Sequence, residues 1–406
     1  MDTASSSFRA AERIGRIKPS PSTAAAARVR ELKAEGRRIL DLTVGEPDFD
    51  TPDHIKRAAI AAIEAGETKY TPVNGTPLLR EAIRGSLLRT HGIEYSDAEI
   101  TVGGGGKQVI FLALMATVDA GDEVLVPAPY WVSYPDMVRA NEGTPVIVPT
   151  SVETGYKLTP ATLEAAITER TSWVILNSPG NPSGAVYTAE ELGALAEVLR
   201  RHPRVSVLSD EIYSEISYTG SAALSLAAVA PDLRHRVLVV SGVSKSYAMT
   251  GWRLGYAAGD PALVRAINTL QSQTSSCPSS ISQAAAAAAL SGPQDFIAET
   301  VPVYAERRDA AVAGISAIEG LDPLVPDGAF YLYVDCAGLI GRRTEEGDTL
   351  ADDQDVTLYL LDRAGVAVIQ GSAYGQSPFF RISFATDLET IRAAIDAIAD
   401  AVGALR

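Results

Sequence analysis

The sequence predicts an α/β protein, with a large domain built on a mainly parallel sheet and a smaller α+β domain after it. Two observations carry this expectation. Between about Asp50 and Gly292, short β-branched runs alternate with helix-length segments, which is the pattern of parallel strands joined by helical crossovers and covered on both faces. Beyond Gly292 the pattern changes to a long amphipathic segment, isolated strand-like runs and a closing helix.

In the alternating region the expected strands are Glu123–Val126, Pro145–Val148, Trp173–Leu176, Val205–Leu208 and Val237–Val240. Helices fall between many of them. One is expected over Thr188–Arg201, with Thr188 as cap and Glu190 and Glu191 in the first turn, where acidic side chains suit the helix dipole. In the second region the amphipathic segment Asp295–Glu319 precedes the strand-like Ala329–Val334 and a loop rich in Asp, Glu and Gly over Gly341–Asp355. A helix, the strand Phe380–Phe384 and a final helix over Leu388–Leu405 follow. The expected division is a segment 1–49 that packs with the small domain, a large domain 50–294 and a small domain 295–406.

Composition narrows the function. The 406 residues allow two cores, and the formal charge of -15 disfavours nucleic acid and anionic lipid as partners. An anionic substrate would need positive groups placed locally, against that field. The apolar run Ala284–Leu290 falls far short of a membrane span, and the N-terminus shows no secretory pattern. Two distant cysteines, Cys277 and Cys336, fit a reducing cytoplasm better than a disulfide framework. His54, His91, His202 and His235 show no metal-ligand spacing and read as surface or loop residues, so no metal is expected.

Chemistry-bearing residues follow three successive strands: Asn181 after Leu176, Asp210 and Tyr213 after Leu208, and Lys245 after Val240. The carboxyl ends of parallel strands are where such folds bind ligands. A lysine in a small-residue loop loses solvation, which frees its amine as a nucleophile, although alone Lys245 would pass for a surface lysine. Arg253, eight residues on, adds a cation suited to a phosphate or a plain salt bridge. Asp210 at a strand end needs a cationic or donor partner; a protonated pyridine nitrogen would serve, with Tyr213 near a phenolic oxygen, and so would a helix cap. The glycines of Gly103-Gly-Gly-Gly-Lys-Gln108 precede an apolar helix over Val109–Val118, which gives either an anion-binding turn or a flexible one. Arg381, flanked by apolar residues, calls for an anion that is either a substrate carboxylate or an internal acid.

Taken together, these segments resemble the fold-type I, class I and II aminotransferases, most closely the bacterial aspartate aminotransferases. The motifs, in order, are Ile17-Lys-Pro-Ser20, Val44-Gly-Glu-Pro-Asp-Phe-Asp-Thr-Pro52, Lys69-Tyr-Thr-Pro72, Gly105-Gly-Lys-Gln108, Pro129-Tyr-Trp-Val-Ser-Tyr-Pro135, Asn181-Pro-Ser-Gly184, Ser209-Asp-Glu-Ile-Tyr213, Ser244-Lys-Ser-Tyr-Ala-Met-Thr-Gly-Trp-Arg253, Gly328-Ala-Phe-Tyr331 and Arg381-Ile-Ser383. The resemblance implies a pyridoxal 5'-phosphate (PLP) enzyme that holds its cofactor on Lys245 as a Schiff base. In that scheme Asp210 pairs with the pyridine nitrogen, Asn181 and Tyr213 contact the phenolic oxygen, and Trp131 stacks on the ring. Gly105, Gly106, Lys107 and Arg253 hold the phosphate, and Tyr70 reaches the phosphate of a partner subunit in a homodimer. Arg381 and Gly45 take the substrate α-carboxylate, and Lys107 takes a distal one.

The implied substrates are small amino acids and 2-oxo acids, with aspartate, glutamate and 2-oxoglutarate foremost. Aromatic amino acids, alanine or prephenate are the alternative, with Ser22 as the pointer to prephenate; a PLP lyase is the remoter one. Three positions depart from the family pattern. Gly242 stands where many relatives have a phosphate-binding serine, leaving Ser244 or Ser241 as substitutes. Ser183 replaces a threonine, and Gln273-Thr-Ser-Ser-Cys277 lacks an arginine for a distal carboxylate.

Overall fold

The computed structural model describes residues 9–19 and 21–406. Ser20 and the side chain of Ser22 lie outside the described residues. The first strand, β1 (Leu40–Asp41), is only two residues long. Seven strands then form the large sheet: β2 (Ile100–Gly103), β3 (Glu123–Ala128), β4 (Thr144–Pro149), β5 (Thr171–Asn177), β6 (Ser206–Asp210), β7 (Val237–Gly242) and β8 (Gly255–Ala258). Their order is β2-β8-β7-β6-β5-β3-β4, and only β8 runs against the others.

Alternation along the central strands explains why both faces are covered. Val124, Val126, Ile175, Leu208, Leu238 and Val240 share one apolar cluster with the helix Gly106–Thr117. Leu125, Val174, Leu176, Val207 and Val239 point the other way, into a cluster with the helices Pro77–His91, Ala189–Arg201 and Ser280–Ser291. Successive side chains on a strand face opposite sides, so apolar residues at every position bury both. Thr188 caps its helix as expected, accepting from the Glu191 amide while the Glu191 carboxylate accepts from the Thr188 amide.

The strands β2 and β8 were not expected from the sequence. Gly255-Tyr-Ala-Ala258 carries little β-branched character, and its glycine serves a close approach. A Cβ at Gly255 would lie 2.2 Å from the Gly106 nitrogen.

A second sheet contains β9 (Asp322–Leu324), β10 (Tyr331–Asp335), β12 (Ile369–Gln370) and β13 (Phe379–Ser383), all antiparallel, in the order β12-β13-β10-β9. Its core joins Leu332, Val334, Phe380 and Ile382 to Ala311 and Ile315 of the long helix Asp295–Ser316 and to Ile391 and Ile398 of the helix Leu388–Gly403. The strand expected from Ala329 begins two residues later, because Ala329 turns the chain at φ +56°. Between β10 and β12 lies β11 (Val366–Ala367), which pairs in parallel with β1. That pairing places Leu40 and Asp41 beside Val366 and Ala367, whereas Arg16, earlier in the segment, donates to Glu142 Oε1 at 3.3 Å just past the helix Tyr134–Ala140.

One expectation about histidine needs correction. His91 ends the helix Pro77–His91, yet its side chain is buried, with Nε2 3.2 Å from the buried Glu211 carboxylate. Periodicity could not show that Glu211 turns away from the cleft and toward that helix end. Among the described residues no helix is long and apolar enough to cross a membrane, and no acid, histidine or cysteine cluster could hold a metal ion.

Candidate active site

The parallel neighbours β5, β6 and β7 end side by side, and a cleft of about 380 Å³ opens beyond them. Asn177 and Asp210 are the last residues of their strands, and Lys245 follows the end of β7 by three. The cleft brings together Gly45, Gly105, Gly106, Lys107, Trp131, Asn181, Asp210, Tyr213, Ser244, Lys245, Arg253 and Arg381. Of the described residues singled out in the sequence for such a site, Tyr70, which is 91% exposed, and the alternative serine Ser241 lie elsewhere.

Lys245 Nζ donates to the Gly45 carbonyl and lies 5.8 Å from the centre of the Tyr213 ring. Burial lowers its pKa to about 8, since a low-dielectric surrounding disfavours the charged amine. Asp210 is buried, and burial lifts its carboxyl to about 6 against the opposing hydrogen bonds from Tyr134 and the Ile212 amide. Both shifts come chiefly from burial within one cleft, the kind of perturbation that clusters at functional sites.

At the other end of the cleft, the helix Gly106–Thr117 starts without a side-chain cap. Gly105 precedes it at φ +99°, and a Cβ there would meet Arg253 Nη2 at 2.6 Å. Glycine thus lets an uncapped helix N-terminus and a guanidinium face the same space, an arrangement suited to an anion such as phosphate. Arg253 is itself held by the Thr250 and Gly104 carbonyls at 2.9 and 3.3 Å. Ser244 lines the cleft, whereas Ser241 does not; its hydroxyl donates to the Glu211 carbonyl. No such hydroxyl can come from Gly242, which is packed against Leu254 and Gly255.

Arg381 enters from β13. It is 3% exposed, and donates to Asn181 Oδ1 at 3.1 Å and to the Thr43 carbonyl at 2.6 Å. Its Nε has no hydrogen-bond partner, and among the described residues no carboxylate pairs with it. A buried guanidinium without an acid is costly, which leaves an anionic ligand as its natural partner. Lys107 extends over the Trp131 ring, 4.7 Å from its centre, and among the described residues no acid pairs with it either. Loss of solvation, with Arg253 nearby, lowers its pKa.

A family model described as aminotransferase class I and II matches residues 37–398. The chain belongs to the class I and II aminotransferases. It is similar to the crystal structure of aspartate aminotransferase from Rhizobium meliloti, with 50% identity, coverage of 98% of this chain and 100% of that one, and a TM-score of 0.96. It is 51% identical to the aspartate/prephenate aminotransferase of Cereibacter sphaeroides over 94% of this chain and 95% of that protein. The Thermus thermophilus aspartate aminotransferase with maleate matches at 39% identity, over 97% of this chain and all of that one, with a TM-score of 0.90.

This aminotransferase cleft also contains residues that the sequence did not single out. Tyr134 donates to Asp210 Oδ2 at 2.6 Å, Asn177 Oδ1 accepts from the Asn181 amide at 2.9 Å, and Tyr331 lies between Tyr213 and Arg381. Tyr134 and Tyr331 each lie within a quoted motif, so the signal was present in those segments. What sequence could not supply was the direction in which each ring points.

Proposed function

We propose that the chain is a PLP-dependent aminotransferase that exchanges an amino group between aspartate or glutamate and a 2-oxo acid such as 2-oxoglutarate. The observation that carries this reading is the pair of cations, Arg381 and Lys107, that line one cleft without acids of their own. Two anionic groups on one small substrate would complete them. Similarity to proteins named for aspartate, and to one solved with the dicarboxylate maleate, supports the same substrate class.

The residues present fit the cofactor. The uncapped helix start, Arg253 and Ser244 suit its phosphate, while buried Asp210, which forms no ion pair among the described residues, suits a protonated ring nitrogen. When bound, PLP supplies an electrophilic carbon and a ring that accepts the electron pair released at the substrate Cα. Lys245 Nζ would hold the cofactor and, once displaced by substrate, would take the Cα proton as base and deliver it to the cofactor's electrophilic carbon. Asp210 would keep the ring nitrogen protonated, Tyr213 and Asn181 would orient the phenolic oxygen, and Trp131 would cover the ring face. Arg381 and Gly45 orient the α-carboxylate, and Lys107 selects the distal one.

We further read residues 50–294 as the cofactor-binding domain, with 295–406 as a small domain to which the segment before residue 50 packs; residues 1–8 of that segment lie outside the described residues. The active form is read as a cytoplasmic homodimer. Exposed Tyr70, with Leu78, Ile60 and Ile63 also exposed nearby in sequence, supports contact with a second copy, and free Cys277 and Cys336 suit a reducing compartment.

The test is a half-reaction: the PLP-loaded protein is mixed with L-aspartate and no 2-oxo acid. Stoichiometric oxaloacetate and pyridoxamine phosphate are expected. Conversion of alanine or tyrosine but not aspartate would overturn the dicarboxylate reading, and release of ammonia without an amino acceptor would overturn the aminotransferase.

A further inference from the structure

Tyr331 begins β10 where the second sheet meets the cleft, and it is 1% exposed. It touches three segments that carry proposed functional groups. Its hydroxyl is 2.8 Å from the Tyr213 hydroxyl. The Arg381 guanidinium lies over its ring, 4.3 Å from the centre. Its oxygen also occupies the space beside Gly45, where a Cβ would come within 2.8 Å of it; the Gly45 carbonyl in turn accepts from Lys245.

A phenol has one proton to donate. Tyr213 can give its proton to an anionic oxygen in the cleft only if Tyr331 is the donor between the two hydroxyls. Arg381 cannot compete for that proton, because a guanidinium accepts no hydrogen bond. A hydroxyl that receives a hydrogen bond is also a stronger donor. The ring acts separately. Arg381 is tethered at Nη1 and Nη2 by Asn181 and Thr43, and the aromatic face beneath it fixes the remaining freedom of its plane.

We propose that Tyr331 is a positioning residue with two separable actions: its hydroxyl turns the Tyr213 proton into the cleft, and its ring sets the plane of the Arg381 carboxylate clamp. This rests on the aminotransferase reading above and deepens it.

The test uses the PLP-loaded enzyme and the variants Tyr331→Phe, Tyr331→Leu, Tyr213→Phe and Tyr213→Phe/Tyr331→Phe. It reads kcat and KM for L-aspartate, the pH profile, and the dissociation constant of PLP. Tyr331→Phe keeps the ring, so kcat should fall about tenfold with KM within about twofold of the parent. The same change in the Tyr213→Phe background should have almost no further effect on kcat, the pH profile or PLP retention, because its target hydroxyl is gone. Tyr331→Leu should add a rise in KM of about tenfold. Equal losses from Tyr331→Phe in both backgrounds, or no change in kcat at all, would overturn the hydroxyl's role. Parallel changes in kcat and KM for both Tyr331 variants would indicate packing alone and overturn the proposal. Failure of the parent enzyme to transaminate aspartate would sink the functional reading instead; the PLP-retention cycle would still decide whether Tyr331 acts through Tyr213.

Discussion

The Tyr134 hydroxyl donates to Asp210 Oδ2 at 2.6 Å, between two side chains that are both buried. This bond works against desolvation, which raises the Asp210 carboxyl to about 6. Removing the hydroxyl lets the pKa climb further, so more of the carboxyl is neutral near neutral pH. A neutral carboxyl is a poor partner for a protonated ring nitrogen. Tyr134→Phe should therefore weaken PLP retention by about tenfold, and more at pH 6 than at pH 8. The measurement is the PLP dissociation constant at both pH values; a loss independent of pH would assign Tyr134 to packing.

Lys245 allows a stability test with a defined sign. Burial depresses its pKa from the ordinary lysine value of 10.5 to about 8, so in the cofactor-free protein the folded state binds fewer protons than the unfolded one between those values. Stability therefore rises with pH across that window, and the full cost of the buried charge is present below it. Cofactor-free Lys245→Met should be more stable than the parent at pH 7, by at most about 3 kcal/mol. The gap should narrow as pH rises through about 8 toward 10.5. Denaturant titrations at several pH values check this, and the same variant should lose amino transfer. Retained turnover would remove Lys245 from the chemistry.

Much of this site could be read from the sequence because its residues sit in short contiguous motifs at strand ends. Asp210, Tyr213 and Lys245 needed only the alternating pattern to bring them to one edge, and β5, β6 and β7 are adjacent and parallel. Other features depend on contacts between distant segments. The pairing of Tyr331 with Tyr213 spans 118 residues, and Arg381 reaches Thr43 from 338 residues away. Local periodicity carries no record of such contacts. The strand β8 was illegible for a different reason: its Gly and Ala residues carry little strand propensity, and Gly255 is required by its close approach to Gly105 and Gly106. His91 likewise reads as a surface or loop residue from the sequence, because its contact with Glu211 joins segments distant in the chain.

Lys107 makes substrate choice testable. Its ammonium lies over Trp131 with no acid to neutralise it, while its backbone amide belongs to the start of the helix. Lys107→Met should therefore spare the phosphate end of the cleft and remove one charge from the substrate end. KM for aspartate and 2-oxoglutarate should rise at least tenfold, the cost of losing a charge-assisted contact. Alanine, which has no distal carboxylate, should be nearly unaffected. Equal losses for aspartate and alanine would place the distal carboxylate elsewhere.

Gly242 tests whether the missing serine of the family pattern can be restored. A Cβ there would lie 3.1 Å from Gly255 Cα and from the Leu254 carbonyl, and 3.2 Å from Ile212 Cδ1. Two of these neighbours are backbone. Gly255 cannot retreat, because it pairs with Gly242 across β7 and β8 and is pressed against Gly105 and Gly106 from its other side. Gly242→Ser should therefore cost about 1–3 kcal/mol of stability through overpacking, without tightening PLP binding. Ser244→Ala should instead weaken PLP retention, since Ser244 already lines the cleft while the Ser241 hydroxyl is turned to the Glu211 carbonyl. Thermal melts and PLP dissociation constants for both variants decide the matter. A stable Gly242→Ser protein with tighter cofactor binding would mean that the loop can open by the few tenths of an ångström the serine needs, and that the phosphate lies nearer β7 than the Arg253 and Gly105 cradle implies.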